Sequence, residues 1–305
     1  MDQFVHLREK LSRCCPSLEL RIQEPMSRHT SFHIGGPTAL MALPRTVEEA
    51  AAAVKTAAEL EIEPFFMGNG SNLLVSDKGI EGAVIEIGSL MNNITVNGNK
   101  IYAEAGALLS SLSAAAADNS LKGLEFASGI PGSVGGAVFM NAGAYDGEIK
   151  DIIVSARAIT CEGNIITLSK DELDLSYRHS VIEEKGLIVI GAEFKLMHGC
   201  QDEIRKKMAD FASRRRDKQP LNYPSAGSTF KRPEGYFAGK LIEDSGLKGK
   251  MIGGAQVSEK HAGFIINTGD AKSSDISALI DYCIETVYNK FGVVIKPEVR
   301  IIGRK

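Results

Sequence analysis

Apolar residues Phe4, Leu7, Leu11 and Cys14 recur at helical spacing in "MDQFVHLREKLSRCC", which predicts an amphipathic helix and not the apolar core of a secretory leader. Next, "TALMALPRTVEEAAAAVKTAAELEIEPFFMGNGSN" reads as strand, helix, strand and glycine turn, with Thr46 and Glu49 predicting a capping box ahead of the alanine-rich run. Past the turn the pattern shortens to β segments: "LLVSD", "GAVIEIG" and "ITVNGNKIYAEAG", whose Asn97-Gly98 pair predicts a hairpin. A helical run, "ALLSSLSAAAADNSL", leads into the most glycine-rich segment, "GIPGSVGGAVFMNAGAYDGE", residues 129 to 148. Strands then resume at "IIVSARAITCEGNIITL" and "LIVIGAEFKL". A charged helix is expected from Asp202 to about Lys218, a second near Tyr236 to Ser245, then a strand in "HAGFIINTG", a helix in "SDISALIDYCIETVYNKFG" and a strand in "VVIKPEVRIIG". The break at "MHGCQD", near residues 197 to 202, marks the expected domain boundary.

With 305 residues, the chain is long enough for roughly two domains. Its 44% hydrophobic and 24% charged residues are ordinary for a globular protein. A net charge of −3 gives no overall positive field for nucleic acid or an acidic membrane surface. The basic run Arg214, Arg215, Arg216 and Lys218 reads as the solvated end of a helix. Five cysteines without C-x-x-C or metal-ligand spacing suit free thiols in a reducing cytosol, and no window reaches a membrane span.

The candidate chemistry lies in glycine-bearing segments. "GNGSN", Gly68 to Asn72, follows a strand as phosphate loops do, but it lacks the third glycine of a Rossmann fingerprint, and no P-loop occurs anywhere. "GIPGSVGG" carries Gly129, Gly132, Gly135 and Gly136 around Ser133, a residue able to start a helix whose amides would face an anion. Each loop alone reads more readily as a tight turn. The two followed by "MNAGAYDGE" suggest a dinucleotide site. His29 and His33 in "RHTSFHIGGP" lack the company of metal ligands and are expected as core or hydrogen-bonding histidines, with no metal bound. Residues 222 to 233, "NYPSAGSTFKRP", are either a surface turn or a site in which glycine admits close approach, hydroxyls offer protons and Lys231 or Arg232 holds an anion.

Taken in order, "RHTSFHIGGP", "GNGSNLLVSDKGIEG", "GIPGSVGGAVFMNAGAYDGE", "YRHS", "AGSTFKRP", "AGKLIEDSGLKG" and "KPEV" resemble the UDP-N-acetylenolpyruvoylglucosamine reductase family from about residue 28 to the end. The resemblance implies an α+β protein: a two-part FAD-binding region of the vanillyl-alcohol-oxidase (PCMH) type, residues 1–197 with sub-parts of about 1–78 and 79–197, then an α+β substrate-binding domain, 198–305. It implies noncovalent FAD, NADPH as reductant, and reduction of UDP-N-acetylglucosamine enolpyruvate to UDP-N-acetylmuramate for peptidoglycan synthesis. Hydride would pass from flavin N5 to the enolpyruvyl carbon, with protonation by Ser228. Arg178 and Glu298 match the other catalytic positions.

Cofactor contacts are expected from Gly68, Asn69, Gly70, Ser71, Asn72, Gly129, Ser133, Gly136 and Ala137, and substrate contacts from Asn141, Tyr145, Lys231 and Arg232. The chain resembles the family's shorter form, which lacks a loop carrying a capping tyrosine, and has Asp146 where glycine is expected in relatives. A cytoplasmic monomer binding a UDP-sugar, with no nucleic-acid or membrane partner, completes the expectation. The rival readings are another flavin oxidoreductase on the same fold and a noncatalytic UDP-sugar sensor.

Overall fold

The computed structural model describes residues 3 to 304. They fall into two compact units. The first runs up to Ile22 and includes Ala39–Asn69 and Gly82–Ser213; the second comprises Gln23–Thr38, Gly70–Glu81 and the residues from Arg214 on.

In the first unit the helix Gln3–Cys14 buries Leu7 and Leu11, as its apolar spacing requires. The helix Val47–Ala58 is capped by Thr46, whose hydroxyl accepts the Glu49 N–H at 3.2 Å. The expected box does not close. Glu49 is buried, and its two oxygens accept instead from the Arg45 N–H at 2.8 Å and the Ser17 hydroxyl at 2.6 Å, which satisfies a carboxylate that water cannot reach. One sheet has the strand order Glu19–Pro25, Pro37–Leu43, Ile80–Glu86, Phe65–Met67. A second, antiparallel throughout, has the order Ile165–Ser169, Ile153–Ile159, Ile188–Lys195, Lys100–Glu104, Ile94–Asn97. Alternate residues such as Ile101 and Ala103, Ala156 and Ala158, Ile190, Ala192 and Phe194 fill its core face.

The predicted hairpin is shifted by one residue. Asn97 pairs with Lys100, so the two-residue loop is Gly98–Asn99, with Gly98 at φ +59 in the first loop position. The helix Gln201–Lys218 begins against this unit. The Gln201 amide donates to the carbonyls of Ala117 and Asp118 at 2.9 and 3.2 Å, and Arg205 pairs with Asp118 at 2.6 Å, so the end of the helix Leu109–Asp118 holds it. The expected boundary at 197–202 therefore falls inside the first unit, which extends to Ser213.

In the second unit a small sheet, Met251–Ile252, Ala255–Val257 and Ile265–Asn267, packs with the helices Ala238–Asp244 and Ser273–Phe291 around Ile242, Ile265, Ile276, Leu279 and Cys283. Phe32, Ile34 and Leu74 join this core. Leu73–Val75 pairs in parallel with Arg300–Ile302. Of the expected strand "VVIKPEVRIIG" only those last three residues are regular, because Pro297 brings no N–H to a ladder and its neighbours bond one at a time.

Asp77 serves the start of Ser273–Phe291 from a distant point in the chain. Its carboxylate accepts the Ser273 N–H and hydroxyl, each at 2.8 Å, and the Ser274 N–H at 3.3 Å. Burial alone would raise its pKa, but these hydrogen bonds outweigh burial and hold the carboxyl below the ordinary aspartate value. Among the described residues no helix is long and apolar enough to cross a membrane.

Candidate functional site

The two glycine loops meet in the first unit. The Asn69 side chain donates to the Pro131 carbonyl at 3.1 Å, and a Cβ built on Gly68 would collide with the Ser133 hydroxyl. Ser133 caps the helix Val134–Phe139 as predicted. The expectation that this second loop turns its amides toward an anion needs correction. The N–H groups of Val134 and Gly135 donate to the carbonyls of Ala107 and Ala105, each at 2.8 Å, Gly136 donates to Ser133, and the Ala137 side chain is in the core. The first loop has the longer open run. The N–H groups of Gly68, Asn69, Gly70 and Ser71 donate to no protein acceptor among the described residues.

Within the second unit Gly70 lies against the "RHTSFHIGGP" segment. A Cβ there would run into the His29 carbonyl, and the Gly70 carbonyl accepts the Ser31 N–H at 3.3 Å. Glycine at φ +59 is thus required by the protein's own backbone, whatever lies in the loop. His29 is a hydrogen-bonding histidine, its Nε2 at 3.0 Å from the Glu24 carboxylate. The Ser31 hydroxyl beside this loop is shielded from solvent and has no partner among the described residues. Within the second unit the unengaged amides of Gly70 and Ser71, with an orphaned hydroxyl beside them, fit an anionic group such as a phosphate of FAD, whose oxygens would satisfy them.

The second cluster is built from strained backbone. Asn141, Tyr145, Asp146 and Arg178 have φ of +42, +51, +63 and +55, a region that side chains larger than glycine rarely occupy. Asp146 thus stands where glycine would be unstrained, which is what relatives were expected to carry. Arg178 sits with Tyr177 at the tip of a turn closed by two hydrogen bonds between Ser176 and His179, each 3.2 Å. Its guanidinium donates to the Gly143 carbonyl at 3.4 Å and lies over the Tyr177 ring.

Asn141 is not available to a ligand. It is fully buried, its amide nitrogen bonds Glu148 at 2.7 Å and the Ser176 carbonyl at 2.9 Å, and its oxygen accepts the Lys150 N–H at 2.9 Å. It holds the Arg178 turn instead. Tyr145 lies flat on Phe211, with centroids 4.2 Å apart.

In the second unit a ladder collects the remaining residues. The Asn72 amide donates to the Glu298 carbonyl at 3.1 Å, the Glu298 N–H to the Thr229 carbonyl at 2.8 Å, and the Thr229 N–H to the Gly263 carbonyl at 2.8 Å. Asn72, Glu298 and the Ser228 segment are thereby fixed to one another. Asn72 contributes its amide to this tie. Thr229 is buried, its hydroxyl taking the Ile265 N–H at 3.0 Å, while Ser228 is exposed after Gly227 at φ +74. Lys231 is half-buried, and Arg232 is exposed with its guanidinium 4.0 Å from the Phe237 ring centroid. Sequence reading missed His261, whose Nδ1 accepts the Gly263 N–H at 3.1 Å, and Ser31. Neither spacing nor composition signals them. Among the described residues no group of three His, Cys, Asp or Glu side chains could hold a metal ion.

Two sequence profiles match the chain: an FAD binding domain over residues 38–169 and a UDP-N-acetylenolpyruvoylglucosamine reductase C-terminal domain over 219–302. The fold is shared with a glucooligosaccharide oxidase from Acremonium strictum, at 15% identity and a TM-score of 0.51 over 95% of this chain and 60% of that one. These findings define an FAD-dependent oxidoreductase with a flavin region of the PCMH type followed by a separate C-terminal domain. Three relatives narrow the class. UDP-N-acetylenolpyruvoylglucosamine reductases from Caldanaerobacter subterraneus subsp. tengcongensis and Clostridium perfringens are 51% and 50% identical, covering 97% and 100% of this chain and 98% and 100% of theirs. The crystal structure of a UDP-N-acetylenolpyruvylglucosamine reductase from Thermus caldophilus superimposes with a TM-score of 0.80 at 32% identity, over 93% of this chain and 98% of that one. The chain belongs to the UDP-N-acetylenolpyruvoylglucosamine reductase family.

Proposed function

We propose that the protein reduces UDP-N-acetylglucosamine enolpyruvate to UDP-N-acetylmuramate with NADPH, as a cytoplasmic monomer supplying peptidoglycan synthesis. The observation that supports this best is the ladder joining Asn72, Glu298 and the Ser228 segment, which anchors an exposed hydroxyl on a rigid, hydrogen-bonded frame. FAD binds noncovalently, with a phosphate on the amides of Gly70 and Ser71 and the Ser31 hydroxyl. The functional division keeps the cofactor with residues 1–197, in sub-parts of about 1–78 and 79–197, and the sugar nucleotide with 198–305, although the compact units cut the chain elsewhere.

Bound and reduced, the flavin supplies hydride to the enolpyruvyl double bond. The protein manages the resulting charge and proton. Negative charge develops on the substrate carboxylate, where the Arg178 guanidinium meets it with a fixed fork of donors. The Ser228 hydroxyl then delivers a proton to one face of the α-carbon, and Glu298, fixed beside Thr229, orders that step. Lys231 and Arg232 hold the diphosphate of the sugar nucleotide. The test is optical: the purified protein should be yellow, bleach with NADPH and regain colour with the enolpyruvyl sugar nucleotide. A bleached protein that this substrate leaves colourless would overturn the assignment in favour of another flavin oxidoreductase. Flavin that stays with the acid-precipitated pellet would contradict noncovalent binding.

A further inference from the structure

Gly263 has almost no free space around it. A Cβ placed there would lie 2.9 Å from His261 Cε1, 3.1 Å from Nδ1 and 3.4 Å from the Ser228 hydroxyl oxygen, so the imidazole and that hydroxyl border the same small volume. The Gly263 N–H donates to His261 Nδ1 at 3.1 Å, and the Gly263 carbonyl accepts the Thr229 N–H at 2.8 Å. One peptide unit later, the Ile265 N–H reaches the Thr229 hydroxyl at 3.0 Å. The ring itself is fixed from the far side. The Ser258 hydroxyl accepts the N–H groups of Lys260 and His261 at 3.2 and 3.3 Å, the Phe264 N–H donates to the His261 carbonyl at 3.0 Å, and the Phe264 ring meets the imidazole edge-on at 5.0 Å.

We infer that His261 is a positioning residue for Ser228, its neutral imidazole accepting at Nδ1 the hydrogen bond that sets the 261–265 turn on which the Ser228–Thr229 segment is pinned. The inference rests on Ser228 being the proton donor. Because Nδ1 is the acceptor, the ring proton of the neutral form is on Nε2. Protonation would turn Nδ1 into a donor facing another donor and release Gly263. Burial lowers the His261 pKa, the hydrogen bond at its own backbone and the charge of Glu243 raise it, and the charges of Lys248 and Lys218 lower it further, so the ring remains neutral below the ordinary histidine value.

The decisive series is His261→Ala, His261→Asn and His261→Gln in the FAD-loaded protein, with the two half-reactions followed separately. Asparagine places an acceptor near the Nδ1 position, whereas glutamine mimics Nε2. Reoxidation by the enolpyruvyl sugar nucleotide should slow about 10- to 100-fold in the alanine and glutamine variants, as a small misplacement of a reacting group does. Asparagine should restore most of that loss, with flavin reduction by NADPH and substrate KM little changed in all three. The parent's acid limb in reoxidation should disappear in His261→Asn. Nitrogen-15 NMR of the resting holoenzyme should show the Nε2–H tautomer of His261 at neutral pH. An Nδ1–H tautomer, or rescue by glutamine and not by asparagine, would overturn the inference. Ser228→Ala, assayed alongside, separates the two failures. If it reoxidises at the parent rate, the donor assignment is wrong; if it fails to do so while His261→Ala reoxidises normally, only the positioning role is wrong.

Discussion

Arg178 stands on a two-residue turn at φ +55, a conformation unfavourable for a long side chain, whereas Ser228 follows Gly227, whose φ of +74 brings no penalty and whose missing side chain would meet nothing within 4 Å. In the first region the strain falls on the very residue whose side chain is proposed to meet the substrate, so in that reading glycine cannot relieve it. The surrounding structure has to impose it, through the paired Ser176–His179 bonds and the buried Asn141 amide on the Ser176 carbonyl. In the second region the left-handed step is given to a glycine, and a ladder of main-chain bonds to Gly263 and Glu298 holds the next residues extended. The first arrangement trades stability for a fixed cation; the second fixes a hydroxyl without that sacrifice.

The largest effect that tests this contrast belongs to the unstrained region. Ser228→Ala should slow the enolpyruvyl half-reaction by about 10²- to 10⁴-fold, leave flavin reduction intact and change stability by less than roughly 0.5 kcal/mol, since the side chain is exposed. Stopped-flow spectroscopy and a denaturant titration read the two together. A variant that reoxidises at the parent rate would return this segment to a surface turn.

Arg178→Ala and Arg178→Gly should each lose about 10²- to 10³-fold in the same half-reaction, but the glycine variant should be the more stable of the pair by roughly 1 kcal/mol. Equal denaturation midpoints in the two variants would show that the turn stores no strain.

The Asp77 cap extends the comparison to acid. A folded-state pKa held below its unfolded value stabilises above that unfolded value, and the contribution is lost as pH falls through the folded pKa. Asp77→Ala should therefore reduce stability by about 1 to 2 kcal/mol at neutral pH, with the gap to the parent closing below about pH 4. A gap that is independent of pH would remove the carboxylate from the explanation.

The smallest effect is Asp146→Gly. Relief at φ +63 should stabilise by no more than about 1 kcal/mol and leave turnover unchanged, as thermal melts and steady-state assays would show. Destabilisation would mean that the aspartate side chain makes a compensating bond.

Much of this could be read from the chain before the structure. Apolar spacing located the helices Gln3–Cys14, Val47–Ala58 and Ser273–Phe291, and glycine density located the loops. Glycine density could not say which loop keeps its amides available. That depends on where Ala105 and Ala107 bring their carbonyls, a matter of tertiary pairing with no sequence signature. Asn141 shows the same dependence: an amide in a polar glycine-rich run looks like a ligand contact until Glu148 and Ser176 are seen to take both its donors and the Lys150 N–H to meet its oxygen. His261 was hidden in a run that reads as the start of a strand. Resemblance pointed to Arg178, Ser228 and Glu298, but their local frames are set by tertiary hydrogen bonds that the sequence does not display.

Leu73–Val75 pairs with Arg300–Ile302, a partner more than two hundred residues further along the chain. During synthesis the loop strand therefore leaves the ribosome long before anything exists for its free edge to bind, and it is among the most apolar stretches of its unit, buried at all three positions when folded. Until residue 302 emerges, an unpaired hydrophobic edge is exposed to water. Nascent chains stalled just short of Arg300 should be captured by holdase chaperones and cut by protease after Val75. Chains released a few residues later should resist both.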